Sequence, residues 1–117
     1  MLLETVMTKE LRLGEFELVV LLAILRLENE AYGASIKRLI SEEINREVSI
    51  GSLYSTIDRL ERKQMLISKT GEPTPERGGR AKSYLRLTSK GHSAVQLSRS
   101  NLTTLWNGLD FLWTIES

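Results

Sequence analysis

Residues 46–61 read REVSIGSLYSTIDRLE, and this stretch decides the fold. Ser49 is a good helix N-cap, because its hydroxyl can accept one of the amide protons that the first turn leaves unpaired. From there Ile50, Leu53, Ile57 and Leu60 recur at three- and four-residue spacing and fall on one side of a helix that ends near Lys63 or Gln64. At about 100° per residue, Gly51, Ser52, Ser55, Asp58, Arg59 and Arg62 face outward, with Tyr54 at the boundary. The helix therefore has one apolar side for a core and one side of small, polar and basic residues.

Upstream, Leu13 and Gly14 followed by Glu15 and Glu17 mark a helix start, since acids in the first turn complement the macrodipole. The spacing of Phe16, Val19, Val20, Ala23, Ile24 and Leu27 predicts a helix from about Glu15 to Leu27. Leu18, Leu21, Leu22 and Leu25 widen its apolar stripe almost all round, which places it centrally in the core. Asn29 and Gly33 break the pattern, and Ile36, Leu39, Ile40 and Ile44 predict a second helix over roughly Ala34 to Asn45. Downstream, Leu66 to Thr70 and Lys82 to Leu87 have strand-like composition and flank a Gly- and Pro-containing loop, which makes a hairpin. Thr88 offers a further N-cap, and Ala94, Leu97, Leu102, Leu105, Leu109 and Leu112 predict a last helix reaching almost to the C-terminus. The fold class is thus mainly α with a small β-hairpin. The order of elements is that of a winged helix-turn-helix, residues 1–87, followed by a long C-terminal helix, residues 88–117. In that arrangement the third helix enters the major groove of DNA.

The 117 residues suit one domain, and the composition of 41% hydrophobic and 26% charged residues is that of a soluble globular protein. No apolar run approaches the roughly 18 residues of a membrane span, and the first ten residues lack the pattern of a secretory signal, so a cytoplasmic location is expected. Cysteine is absent, which excludes disulfides, thiolate metal sites and a cysteine nucleophile. The net charge of +1 hides an asymmetry: residues 1–58 hold ten acids and six bases, residues 59–117 five acids and ten bases. A basic segment of this kind suits a phosphate backbone; a solvated basic surface is the alternative reading.

Small residues at the start of the third helix allow close approach to a duplex, and Ser or Tyr hydroxyls can donate to phosphates or bases. In the hairpin loop Arg77, Gly78, Gly79, Arg80 and Lys82 combine flexibility with cations that can lie along or within a minor groove. The spacings of nucleotide-binding glycine loops are missing. His92 has no acid or second histidine to form a triad or metal set, and Glu15 with Glu17 or Glu42 with Glu43 suit capping or solvation better than acid–base work. Neither an enzyme nor a metal or cofactor is expected. A winged-helix module that binds protein instead of DNA is the alternative, and the basic Arg77 to Lys82 segment argues against it.

The chain resembles the PadR-like family of transcriptional regulators from Leu13 to about Ala94. The resemblance rests on Leu13 to Glu17, Ala31-Tyr32-Gly33, residues 46–61, the segment Pro73 to Lys82, and Leu87 to Gly91. It implies a repressor that dimerises through its N-terminal segment and last helix and binds a pseudo-palindromic operator. Carried onto matching positions, it implies DNA contact by Tyr32, Gly33, Ser49, Gly51, Ser52, Tyr54 and Ser55 and by Arg77, Gly79, Arg80 and Lys82, with Arg59 and Lys63 in support. Gln64 stands where the family usually has Gly after the third helix, a position that favours a left-handed residue. Trp106 and Trp113 lie seven residues apart on the last helix, beside Leu102 and Leu109, and this stripe is expected to form a twofold subunit interface. Some similar regulators bind flat aromatic ligands between tryptophans there, which allows a small aromatic effector as an alternative to plain dimer packing.

Overall fold

The computed structural model describes residues 9–71 and 83–109. In chain order they contain α1 (Glu15–Leu27), a 3-10 turn (Glu28–Glu30), α2 (Gly33–Ile44), α3 (Ile50–Arg62), β1 (Leu66–Thr70), β2 (Ser83–Leu87) and α4 (Ser89–Trp106). This is the expected winged helix-turn-helix. The bounds of α1 and β1 coincide with the expected ones, and β2 is described from Ser83, because Lys82 lies outside the described residues.

The core forms where the three helices and the hairpin meet. Val20, Leu21 and Ile24 of α1, Ile36 and Ile40 of α2, Leu53, Ile57 and Leu60 of α3, Met65, Leu66 and Leu85 of the hairpin and Ala94 of α4 are all buried. Full burial of side chains such as Leu21, Ile36 and Leu53 contributes about 1.5–3 kcal/mol each. β1 and β2 pair antiparallel, from Leu66 opposite Leu87 to Thr70 opposite Ser83. The Leu85 amide donates to the Ala31 carbonyl at 2.8 Å, which fastens β2 to the segment before α2.

Helix ends follow local chemistry. Ser49 caps α3 by accepting from the Ser52 amide at 3.1 Å, and Thr88 caps α4 by accepting from the Gly91 amide at 3.1 Å, both as the sequence predicts. α2 begins one residue earlier than expected and stops at Ile44, because Asn45 takes a left-handed conformation (φ 51°), which Asn tolerates better than most residues. At the end of α3, Gln64 is left-handed (φ 63°). Its amide donates to Glu61 O and that of Met65 donates to Leu60 O, while Met65 and Leu60 are both fully buried. These two bonds and the apolar contact make a Schellman motif, with Gln accepting the conformation that Gly takes at lower cost.

Three expectations are corrected. The last helix does not run almost to the C-terminus: it stops at Trp106, and Asn107 and then Gly108 (φ 83°) turn the chain, since glycine accepts a backbone that ends a helix. Ile50, assigned to the apolar side of α3, is half exposed, whereas Leu53, Ile57 and Leu60 are buried. A side chain on the first helical residue tilts toward the N-terminus and so projects past the end of the core. Leu22 and Leu25 are likewise exposed, so the buried stripe of α1 is narrower than its composition suggests.

Candidate nucleic-acid interface

The outward side of α3 is formed by Gly51, Ser52, Tyr54, Ser55, Asp58, Arg59 and Arg62, all exposed, and its N-cap Ser49 is exposed as well. A Cβ at Gly51 would meet no atom within 4 Å, so the first turn presents bare backbone to the surroundings. The start of α2 lies beside it. The buried Gly33 backs directly onto the Tyr54 ring, and a Cβ at Gly33 would fall on the Tyr54 hydroxyl. Glycine at this position thus lets α3 and the start of α2 share one continuous surface.

Tyr32, the N-cap residue of α2, is half-buried and stacks edge-on against Tyr84 of β2, with ring centroids 5.7 Å apart and planes at 82°. Its amide donates to Ser35 Oγ at 3.0 Å, and Ser35 Oγ donates on to the Glu30 carbonyl at 2.6 Å. The start of α2 is therefore held both by its own first turn and by the hairpin. On the hairpin, alternation and register put Ile67, Lys69, Tyr84 and Arg86 on one face. Lys69 and Arg86 are exposed and, with Asn29, Thr70 and Tyr84, line a cleft of about 280 Å³. Neither cation was singled out from the sequence, because alternation only has meaning once the strand register is known. Arg77, Gly79, Arg80 and Lys82 lie outside the described residues.

At the other end of α3, Lys63 and Arg59 meet an acid. Glu17, in the first turn of α1, is buried; Lys63 Nζ lies 2.9 and 3.1 Å from its two oxygens and the Arg59 guanidinium 3.9 Å away. Glu17 also accepts from the Gly14 amide at 2.7 Å, the reciprocal arm of a capping box, and Lys63 donates to the Arg12 carbonyl at 3.3 Å. Burial pushes the Glu17 carboxyl up, but the Gly14 amide, the Lys63 ammonium and the Arg59 guanidinium outweigh it and hold its pKa below the ordinary carboxylate value. The Lys63 ammonium thus fastens α3 to α1, and it reaches a phosphate only by leaving Glu17. Arg59, farther off and about half exposed, has more freedom to turn outward.

Away from this surface, Leu102, Leu105, Trp106 and Leu109 form an exposed apolar set on and just past the last turns of α4, with Leu105 70% accessible. Trp113 lies outside the described residues. A groove of about 440 Å³ runs between residues 11–18 and Leu97, Ser98, Asn101 and Leu102. Among the described residues no cluster of His, Asp or Glu could hold a metal ion, and no helix is long and apolar enough to cross a membrane.

A capped third helix with a small, polar outer side, set beside the start of the second and flanked by a hairpin, defines a winged-helix DNA-binding protein. Residues 21–97 match the model of the transcriptional regulator PadR-like family, and the chain belongs to that family. It is a DNA-binding transcriptional regulator, not an enzyme. A PadR-like transcription factor from Bacteroides fragilis is 26% identical with a TM-score of 0.67, over 85% of this chain and 90% of that one. A PadR family transcription regulator from Clostridium difficile is 19% identical with a TM-score of 0.62, over 82% of this chain and 98% of that one, a likeness of fold. The complex structure of hsRosR-SG is 25% identical with a TM-score of 0.60, over 88% of each chain. Curated protein sequences gave no match.

Proposed function

We propose that the protein is a homodimeric repressor that binds a pseudo-palindromic operator, with α3 in the major groove and the basic hairpin loop along the adjacent backbone. The observation that carries this reading is the outer surface of α3, where Ser49, Gly51, Ser52, Tyr54 and Ser55 are exposed together. Tyr32 extends it, with the buried Gly33 seating Tyr54 from behind; Arg59, Lys69, Arg86 and the loop residues Arg77, Arg80 and Lys82 supply cations, and Gly79 leaves the loop backbone bare for close approach. Serine and tyrosine hydroxyls donate to phosphates or base edges, and arginine and lysine neutralise the backbone. The repressing sign follows the family resemblance.

The second copy joins through residues 88–117, the dimerising unit, together with the N-terminal segment, while the winged helix-turn-helix within residues 1–87 reads the DNA. Leu102, Trp106 and Leu109, each at least 40% accessible in the single chain, supply the apolar surface that a twofold contact removes from water; Trp113, outside the described residues, is assigned to the same contact. A protein of this kind works in the cytoplasm. The test is sedimentation and DNA titration of the wild type beside Leu102→Glu and the double variant Arg77→Ala with Arg80→Ala. Leu102→Glu is expected to give monomers that lose operator affinity. The arginine variant keeps the dimer and lowers the slope of log K against log salt by about 0.9 for each phosphate that it no longer neutralises. A wild-type monomer with full operator affinity, or an unchanged slope, refutes the corresponding half of the reading.

A further inference from the structure

The first turn of α3 carries one residue that neither folding nor phosphate binding explains. Ile50 stays 50% accessible, while Leu53, Ile57 and Leu60 of the same helix are no more than 3% accessible. Its neighbours on that turn, Ser49, Gly51 and Ser52, are polar or have no side chain, and all are exposed. Ile50 is therefore the apolar surface of the turn, and one helical turn later comes Tyr54, also 50% accessible. A lone exposed isoleucine needs no explanation on an ordinary surface. On a recognition helix the N-terminal residues lie against base edges, and an uncovered β-branched side chain there loses affinity unless it meets an apolar group. The major groove offers one such group, the C5 methyl of thymine.

We infer that Ile50 is a specificity-determining residue that reads a thymine methyl in each half-site of the operator. The inference rests on α3 entering the major groove. It adds that one operator position prefers thymine through apolar contact, with no hydrogen bond required from the side chain.

The test uses the full-length protein and an operator selected from genomic fragments, with each thymine of a half-site replaced in turn by deoxyuridine, which differs only by the missing methyl. Wild type is expected to lose about fourfold in affinity at one position in each half-site, the worth of roughly one buried methyl group. Ile50→Ser alters both protomers, so it should lose about sixteenfold on the unmodified operator, fourfold for each half-site, and then bind the thymine and deoxyuridine versions equally. Ile50→Val, which keeps a branched apolar surface, should retain the preference. Because Ile50 is half exposed, unchanged melting temperatures confirm that these variants report on binding. Equal responses of wild type and Ile50→Ser to deoxyuridine at every position overturn the inference while leaving DNA binding by α3 intact. Failure to obtain any operator overturns the reading beneath it, and the inference with it.

Discussion

Replacing Glu17 with Gln removes one negative charge from the junction of α1 and α3 and preserves its shape. The carboxylate accepts from the Gly14 amide and from Lys63, with Arg59 nearby. An amide can still accept from Gly14, but its NH2 group then faces the Lys63 ammonium, donor against donor. Hydrogen bonds to charged groups contribute about 1.5–3 kcal/mol. The side chains of Lys63 and Arg59 are 32% and 52% exposed, so solvent screens part of the attraction and places the loss near 2 kcal/mol. For a chain of this length that lowers Tm by roughly 6–10 °C.

The pH dependence gives the sharper check. Because the folded-state pKa of Glu17 is depressed, its contribution is complete above the unfolded-state pKa and fades as pH falls through the folded value. Urea unfolding of both proteins, at one protein concentration since dimerisation shifts apparent stability, should show the full difference at pH 7. That difference should shrink steadily below the ordinary carboxylate range. Equal stability at pH 7, or a difference that persists unchanged into acid, refutes the account of this junction.

Gln64→Gly should stabilise the protein by about 0.5–1 kcal/mol in the same urea assay, because relief of a left-handed non-glycine residue, worth about 1–2 kcal/mol, exceeds the entropy that glycine adds to the unfolded chain. Gly91→Ala should destabilise it by about 1–3 kcal/mol, toward the upper end. The added Cβ would fall on the Met65 carbonyl oxygen, a backbone atom that also accepts from Thr88, and so would push α4 off the hairpin. Gly33→Ala should behave differently: its Cβ meets the end of the half-exposed Tyr54 side chain, which can swing away. Tm should then change by only a few degrees while operator affinity falls severalfold, as titration by fluorescence anisotropy would show.

The fold was legible where a signal is local. Glu15 and Glu17 start α1, Ser49 and Thr88 cap their helices, and the position after α3 flagged by Gln64 is left-handed. What escaped depends on partners distant in sequence or on position along a helix. Lys63 was expected to support DNA contact, and its pairing with Glu17, 46 residues away, has no local signature. Helical spacing gives the angle of Ile50 around α3 but not that the core has ended at its level. The leucine spacing at 102, 105, 109 and 112 continues past Asn107 and Gly108, which outweigh it at the end of α4. The surface at Ser49, Gly51, Ser52, Tyr54 and Ser55 was readable because small polar residues alternate there with the apolar positions of α3. The seating of Tyr54 over Gly33 required the packing of two helices.

The most direct measurement is selection of genomic DNA fragments by the purified protein at physiological salt, with sequencing of what is retained. The account predicts one enriched motif with twofold symmetry and half-sites about one helical turn apart, or a multiple of that, protected by two copies of the chain. Retention without any shared sequence, from a folded protein that binds all fragments alike, would contradict it.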